Sequence, residues 1–141
     1  MRNFFKYLLD LGYKVFKAET RVVDNNIRCF YEQIDEEQAF TLPTVYLIKD
    51  KYLLNKIKKG EYLTREERSN DKVIYWGKCE GMAVKRFSTL RFPEPNFKVI
   101  GKDGYGLMWD DACNHIFNKF SSEEIYNSCF DKTKVLTLTL Q

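Results

Sequence analysis

The stretch that decides the fold is YKVFKAETRVVDNNIRCFY, which runs from Tyr13 to Tyr31. Tyr13–Ala18 and Thr20–Val23 are rich in β-branched and aromatic residues, and such residues favour strands. The following Asp24-Asn25-Asn26 is typical of a turn, because Asn and Asp tolerate a positive φ better than most residues. The stretch therefore predicts a β-hairpin whose returning strand is Ile27–Tyr31.

Helical and extended segments flank this hairpin. On its N-terminal side, Phe4, Phe5, Leu8 and Leu9 recur at helical spacing, and Gly12 is placed to end that helix. On its C-terminal side, an acidic loop with Asp35, Glu36 and Glu37 precedes two further elements. These are a strand at 44–48 and a short basic helix at 51–59.

The rest of the chain continues the alternation of helices and strands. Thr64 with Glu67 and Ser121 with Glu124 have the spacing of a capping box, which marks a helix start. Asp110 or Asp111 is suited to cap a helix that runs to about Phe120. Further strands are predicted at 72–76, 97–100, 105–109 and 134–140, with Lys102-Asp103-Gly104 as a second hairpin turn.

Length and composition favour a single α+β domain over residues 1–141, built as an antiparallel, hairpin-rich sheet with helices packed on one face. The 141 residues are 44% hydrophobic and carry a net charge of only +3. The first eleven residues are too short and too polar for a membrane span. The four cysteines have no CxxC pairing, so we expect reduced thiols, a cytoplasmic location and no disulfide framework.

The only histidine, His115, is the first candidate for chemistry, because imidazole suits acid and base catalysis near neutral pH. Asp111 lies four residues earlier on the predicted helix and Asp110 five, so a carboxylate could contact the imidazole. With Asp103 these residues could hold Mg²⁺ in a small nuclease or hydrolase. The favoured interpretation is structural, with the aspartate as a cap and His115 at the solvent-exposed edge of the helix.

Other catalytic or cofactor motifs are weak. Cys113 and His115 are two residues apart and point away from each other on a helix. Gly101, Gly104 and Gly106 form GxxGxG, the reverse of the dinucleotide pattern, within a predicted hairpin. The cysteines lack zinc-site spacing, so neither a metal nor a cofactor is expected.

Two basic clusters carry the most plausible functional signal. The first contains Lys56, Lys58 and Lys59, together with Lys49 and Lys51, and only Asp50 opposes it. The second combines Lys85, Arg86 and Arg91 with the aromatic residue Phe87. Lysine and arginine attract phosphates and aromatic rings stack on unpaired bases, so these clusters could hold nucleic acid. A solvated helix face and a strand with core aromatics is the simpler alternative.

Taken together, these features favour a non-enzymatic macromolecule-binding protein. The richness in Lys, Asn, Ile, Tyr and Phe is typical of AT-rich coding DNA. We therefore expect a small phage or mobile-element accessory or inhibitor protein that occludes a host protein or nucleoprotein partner. Nucleic-acid binding through the basic clusters and a metal-dependent Asp/His hydrolase are the alternatives, and the oligomeric state stays open.

Overall fold

The computed structural model describes residues 2–77, 95–101 and 109–140. The N-terminal elements run in the order α1 Arg2–Asp10, β1 Lys14–Val23, β2 Asn26–Gln33, α2 Glu36–Thr41, β3 Thr44–Ile48, α3 Lys51–Lys58, α4 Arg65–Arg68 and β4 Val73–Gly77. The C-terminal elements are β5 Phe97–Ile100, α5 Trp109–Lys119, α6 Ser122–Phe130 and β6 Leu136–Thr139. Each described helix is too short or too polar to cross a bilayer.

The predicted N-terminal hairpin is confirmed. β1 pairs antiparallel with β2 from Phe16 opposite Gln33 to Val23 opposite Asn26, which leaves a two-residue turn. Both turn residues have a positive φ, 51° at Asp24 and 63° at Asn25. This is the type I′ geometry, whose twist matches that of the flanking strands.

The main sheet has four strands in the order β2-β1-β3-β4, and every neighbouring pair is antiparallel. The α+β class with an antiparallel sheet is thereby confirmed. Because successive side chains of a strand point to opposite faces, the sheet has two packing surfaces. Val15 and Leu47 share one face, while Phe16 and Ile48 belong to a separate cluster on the other.

Most helices cover one face of the sheet, as the sequence predicts. Phe4, Phe5 and Leu8 of α1 pack there, and Phe4 stacks on Trp76 of β4 with ring centroids 6.0 Å apart. Ala39 of α2, Ile116 of α5 and Ile125 of α6 join the same buried cluster. Helices from both ends of the chain therefore share one core.

An additional helix covers part of the opposite face. Leu53 of α3 and Leu63, which follows α3, form a second buried cluster with Phe16, Ile48 and Val73. The second face is thus also partly covered, and α3 lies against the strands β1 to β4 from that side.

A small second sheet joins β5 to β6 in parallel, which the sequence did not indicate. The connection between them contains α5 and α6, and a parallel pair needs such a long crossover. Alternation in β6 is as predicted, with Leu136 and Leu138 buried and Thr137 and Thr139 exposed. The predicted hairpin at 102–104 lies outside the described residues, and Trp109, expected in a strand, begins α5.

The capping predictions have mixed outcomes. Both predicted capping boxes are present, Thr64 with Glu67 at α4 and Ser121 with Glu124 at α6. The predicted acidic loop at 35–37 is wrong, because Asp35 is the N-cap of α2 and forms a third box with Gln38. The predicted aspartate cap of α5 is also wrong: the helix begins at Trp109, so Asp110 and Asp111 lie inside it.

Candidate binding surface around α3

Helix α3 begins where the carboxylate of Asp50 accepts a hydrogen bond from the amide of Leu53, at 3.1 Å. Leu53 then turns into the core, which fixes the rotation of the helix. One side of α3 carries Lys51 and the residues three, four and seven positions after it, which are Leu54, Asn55 and Lys58. That side faces a groove.

The groove runs between α3 and the hairpin and has a volume of about 690 Å³. Lys14 stands on the strand side, and Lys51 and Lys58 stand on the helix side. Phe16 and Tyr31 contribute apolar surface to its floor, and Leu54 and Ile57 add more from α3. The groove therefore combines three ammonium groups with an apolar base.

The charges around the groove leave these three lysines available. Among the described residues, no ion pair involves Lys14, Lys51 or Lys58. The one carboxylate on the groove, Glu32, is 3.3 Å from the ammonium of Lys17. The local potential at the groove is consequently positive, although the whole chain is nearly balanced.

Lys56, predicted as a binding residue, is already engaged. Its ammonium lies 2.9 Å from Oε1 of Glu67, and both side chains are largely buried. The contact with Glu67 raises the pKa of Lys56, so its charge is held by a structural partner. Lys58 and Lys59 are exposed, but Lys59 is the C-cap of α3 and does not line the groove.

An aromatic pocket of about 550 Å³ adjoins the groove, and Lys51 lines both. The ammonium of Lys49 lies 4.7 Å from the ring centroid of Tyr13 and 3.4 Å from the hydroxyl of Tyr126. The hydroxyls of Tyr13 and Tyr126 are themselves 3.4 Å apart, and burial together with this contact raises the pKa of Tyr13. The phenol of Tyr13 therefore stays neutral beside the ammonium of Lys49.

Exposed rings form the rim of this pocket. Phe130 packs on Tyr126 with centroids 4.6 Å apart and is still 41% exposed, while Tyr52 is 65% exposed. Asp50 also lies at the rim, paired with Lys72 at 3.2 Å. Partial burial opposes the effect, but the Leu53 amide and Lys72 hold the pKa of Asp50 below its ordinary value. That carboxylate is thus neutralised by a neighbour rather than left to repel an anion.

We call the groove and the pocket together the α3 surface. Its cationic and aromatic residues are Lys14, Phe16, Tyr31, Lys51 and Lys58 in the groove, and Tyr13, Lys49, Tyr52, Tyr126 and Phe130 in the pocket. Its carboxylates are Glu32 in the groove and Asp50 and Asp71 in the pocket. The sequence indicated only its α3 part. Tyr13 and Lys14 lie at the start of β1, and Tyr126 and Phe130 belong to α6. No local spacing connects these residues with α3.

The other predicted site residues have separate outcomes. Lys85, Arg86, Phe87 and Arg91 lie outside the described residues, as does Asp103, so the second basic cluster stays a prediction. His115 is exposed, whereas its neighbours Ala112 and Ile116 are buried, in agreement with the predicted helix face.

The Asp/His hydrolase also stays a prediction. The backbone places Asp110 and Asp111 in the first turn of α5, on the same helix as His115. Among the side chains that the structure describes, which do not include those of Asp110 and Asp111, no three acidic, histidine or cysteine groups come close enough to hold a metal ion.

Comparison with known proteins adds no relative: no family model, curated protein or solved structure matches this chain. The chemistry of the α3 surface must therefore be interpreted from its own geometry. Ammonium groups beside apolar and aromatic surface can hold an anionic ligand that also presents flat, apolar parts.

Proposed function

We propose that this chain is a non-enzymatic macromolecule-binding protein that holds single-stranded nucleic acid on the α3 surface. The observation that carries the proposal is the groove in which Lys14, Lys51 and Lys58 surround apolar side chains, next to a pocket with exposed rings. Phosphates would pair with the ammonium groups. Bases would stack on the rings of Tyr52 and Phe130.

Single strands fit this surface better than duplexes do. Stacking needs unpaired bases, and a base on an aromatic side chain contributes about 1–3 kcal/mol. The rings of Phe130 and Tyr52 at the rim of the pocket are 41% and 65% exposed, so part of each ring is accessible to a base. A duplex would present only its backbone and could use the lysines alone.

The spacing of the lysines suits a chain of phosphates. Lys51 and Lys58 are seven residues apart on α3, a rise of about 10.5 Å along the helix. Lys14 faces them from the other wall of the groove. For three such contacts to a single strand, the logarithm of the binding constant should fall with the logarithm of the salt concentration with a slope of about −2.

Binding of a labelled single-stranded oligonucleotide, measured by fluorescence anisotropy over a series of salt concentrations, tests the proposal. In the variant Lys51→Gln/Lys58→Gln we expect the slope to change from about −2 to about −0.7, because two of the three phosphate contacts are removed. Affinity at low salt should drop by roughly tenfold or more. The matched control is Lys6→Gln/Lys98→Gln, which removes two exposed charges that line neither groove nor pocket.

Three outcomes would refute this function. One is equal loss of binding in the control, which would show that only net charge matters. Another is salt-independent or absent binding of the wild-type chain. The third is cleavage of the oligonucleotide in Mg²⁺ that disappears in Asp111→Asn or His115→Ala, which would favour the hydrolase alternative.

The proposal is compatible with the sequence-based expectation of an accessory or inhibitor protein. A protein that covers single-stranded nucleic acid occludes it from other proteins, so a nucleoprotein partner would be blocked without any chemistry. Such a role would place the chain in the cytoplasm of a host cell, and both the role and the location are part of the proposal.

A further inference from the structure

The β1–β2 hairpin projects beyond the rest of the main sheet. β1 pairs with β3 only through Lys14, Val15 and Phe16. Over the described ranges, residues 17–23 of β1 pair with β2 alone. The second edge of this part of β1 therefore presents backbone groups of the kind that pair with another strand.

The charged side chains on this part of the hairpin are only partly matched within one copy. Arg21 lies directly opposite Arg28, and like charges opposite each other destabilise a pair of strands. Arg21 pairs with Glu19 of its own strand at 3.3 Å. Each guanidinium also lies over a ring, Arg21 over Phe30 at 4.4 Å and Arg28 over Tyr62 at 4.8 Å.

The apolar residues near the turn are also without cover. Val22 and Ile27 are paired across the strands and share one face. They are 72% and 75% exposed, the highest values among the large hydrophobic residues described. Exposed apolar side chains that lie side by side are a feature of interaction surfaces.

We propose that two copies of this chain pair antiparallel through β1, about a twofold axis at Thr20. This register places Glu19 of each copy opposite Arg21 of the other, so the interface is complementary in charge with itself. It also places Ala18 of each copy opposite Val22 of the other. A shift of the axis by one residue, to Glu19, would set Glu19 opposite Glu19 and lose this match.

The twofold register continues across all four strands of the two hairpins. On one face, a row of side chains crosses the four strands and is apolar throughout. It contains Ile27 and Val22 of one copy, followed by Ala18 and Tyr31 of the second copy. On the other face, the neighbouring row contains Arg28 and Arg21 of one copy, followed by Glu19 of the second copy. Within one copy Glu19 already lies 3.3 Å from Arg21 on the same strand, so Glu19 of the second copy adds a second carboxylate beside the arginine pair.

Sedimentation velocity of the full chain over a hundredfold range of concentration tests the proposal. We expect the wild type to dimerise, and Arg21→Glu or Glu19→Arg to weaken the dimer by roughly tenfold or more, since each places like charges opposite each other twice. The double variant Glu19→Arg/Arg21→Glu reverses both charges and should restore the dimer. Lys98→Glu, on β5, is the control for a simple change of net charge.

The charge swap keeps the proposal falsifiable. A wild-type chain that stays monomeric at every concentration overturns it. So does a dimer that withstands both single variants, because it must use another surface, or a double variant that fails to recover. Circular dichroism of each variant confirms that the hairpin is folded, and these side chains are exposed enough to be changed without loss of the core.

Discussion

The ammonium of Lys56 and the carboxylate of Glu67 illustrate how one contact changes the function of a residue. Lys56 belongs by sequence to the basic cluster of α3, but Glu67 accepts its hydrogen bond at 2.9 Å. The same Oε1 also accepts from the amide of Thr64 at 2.8 Å, as part of the α4 capping box. One carboxylate therefore fastens α3 to the start of α4, and Lys56 serves the fold.

Replacing Glu67 with Gln separates the charge from the cap, because glutamine can still form a capping box. The Thr64 amide and then Lys56 hold the pKa of Glu67 below its ordinary value. An acid with a lowered folded-state pKa stabilises the protein above its unfolded pKa of about 4.3, and this stability is lost as the pH falls through the folded-state pKa. We expect Glu67→Gln to cost about 0.5–1 kcal/mol at neutral pH and progressively less below about pH 4.

Urea unfolding of wild type and variant at several pH values measures this difference. Glu66→Gln is the matched control, since Glu66 is the exposed neighbouring residue and we expect its replacement to change stability little at any pH. A loss for Glu67→Gln that stays constant down to low pH would show that the ion pair is not its cause.

At the scale of the elements, local signals predicted most of what the chain forms. The hairpin, α1, α3 and two capping boxes follow from residues that lie close together in the sequence. Helix α2 was missed because its acidic first turn was interpreted as a loop, although Asp35 and Gln38 form a box of their own. The parallel pairing of β5 with β6 joins segments almost forty residues apart, and no local pattern specifies such a partner.

The end of β5 gives a prediction at this scale. Gly101 follows the strand with a φ of +105°, and a Cβ there would collide with the backbone carbonyl oxygen of Leu140. Gly101→Ala combines backbone strain with overpacking and should cost about 2–4 kcal/mol. Gly60→Ala has a similar φ of +78° with no atom within 4 Å, so it should cost only about 1–2 kcal/mol.

Urea denaturation of both glycine variants makes the comparison. Equal losses would mean that the close approach of Leu140 to Gly101 contributes nothing and that only the backbone conformation matters. A larger loss at Gly101 supports the tight contact between β5 and the end of β6.

At the scale of the whole molecule, the two faces of the main sheet pack against different helices. The larger cluster joins α1, α2, α5 and α6 to the sheet, while the smaller cluster places α3 beside the hairpin and so opens the groove. The sequence predicted the charges of α3 but not the walls that oppose them. Lys14 and Tyr126 are 112 residues apart, and only the packing of α6 against the sheet that contains β1 brings them to one surface.

The larger cluster also predicts how the chain unfolds. Phe4 of α1 contacts both Trp76 of β4 and Phe117 of α5, and Leu138 of β6 lies in the same cluster, so the two ends of the chain depend on one core. We therefore expect a single cooperative transition, as the predicted single domain requires. In a Trp109→Phe variant, Trp76 is the only tryptophan left, and its fluorescence should follow the same urea curve as far-ultraviolet circular dichroism. Leu138→Ala should lower the free energy of unfolding by about 2–5 kcal/mol in both measurements, because the cavity it leaves at the C-terminal end weakens the core around Trp76. Curves that separate, or a Trp76 transition that ignores Leu138→Ala, would divide the chain into two units and contradict the shared core.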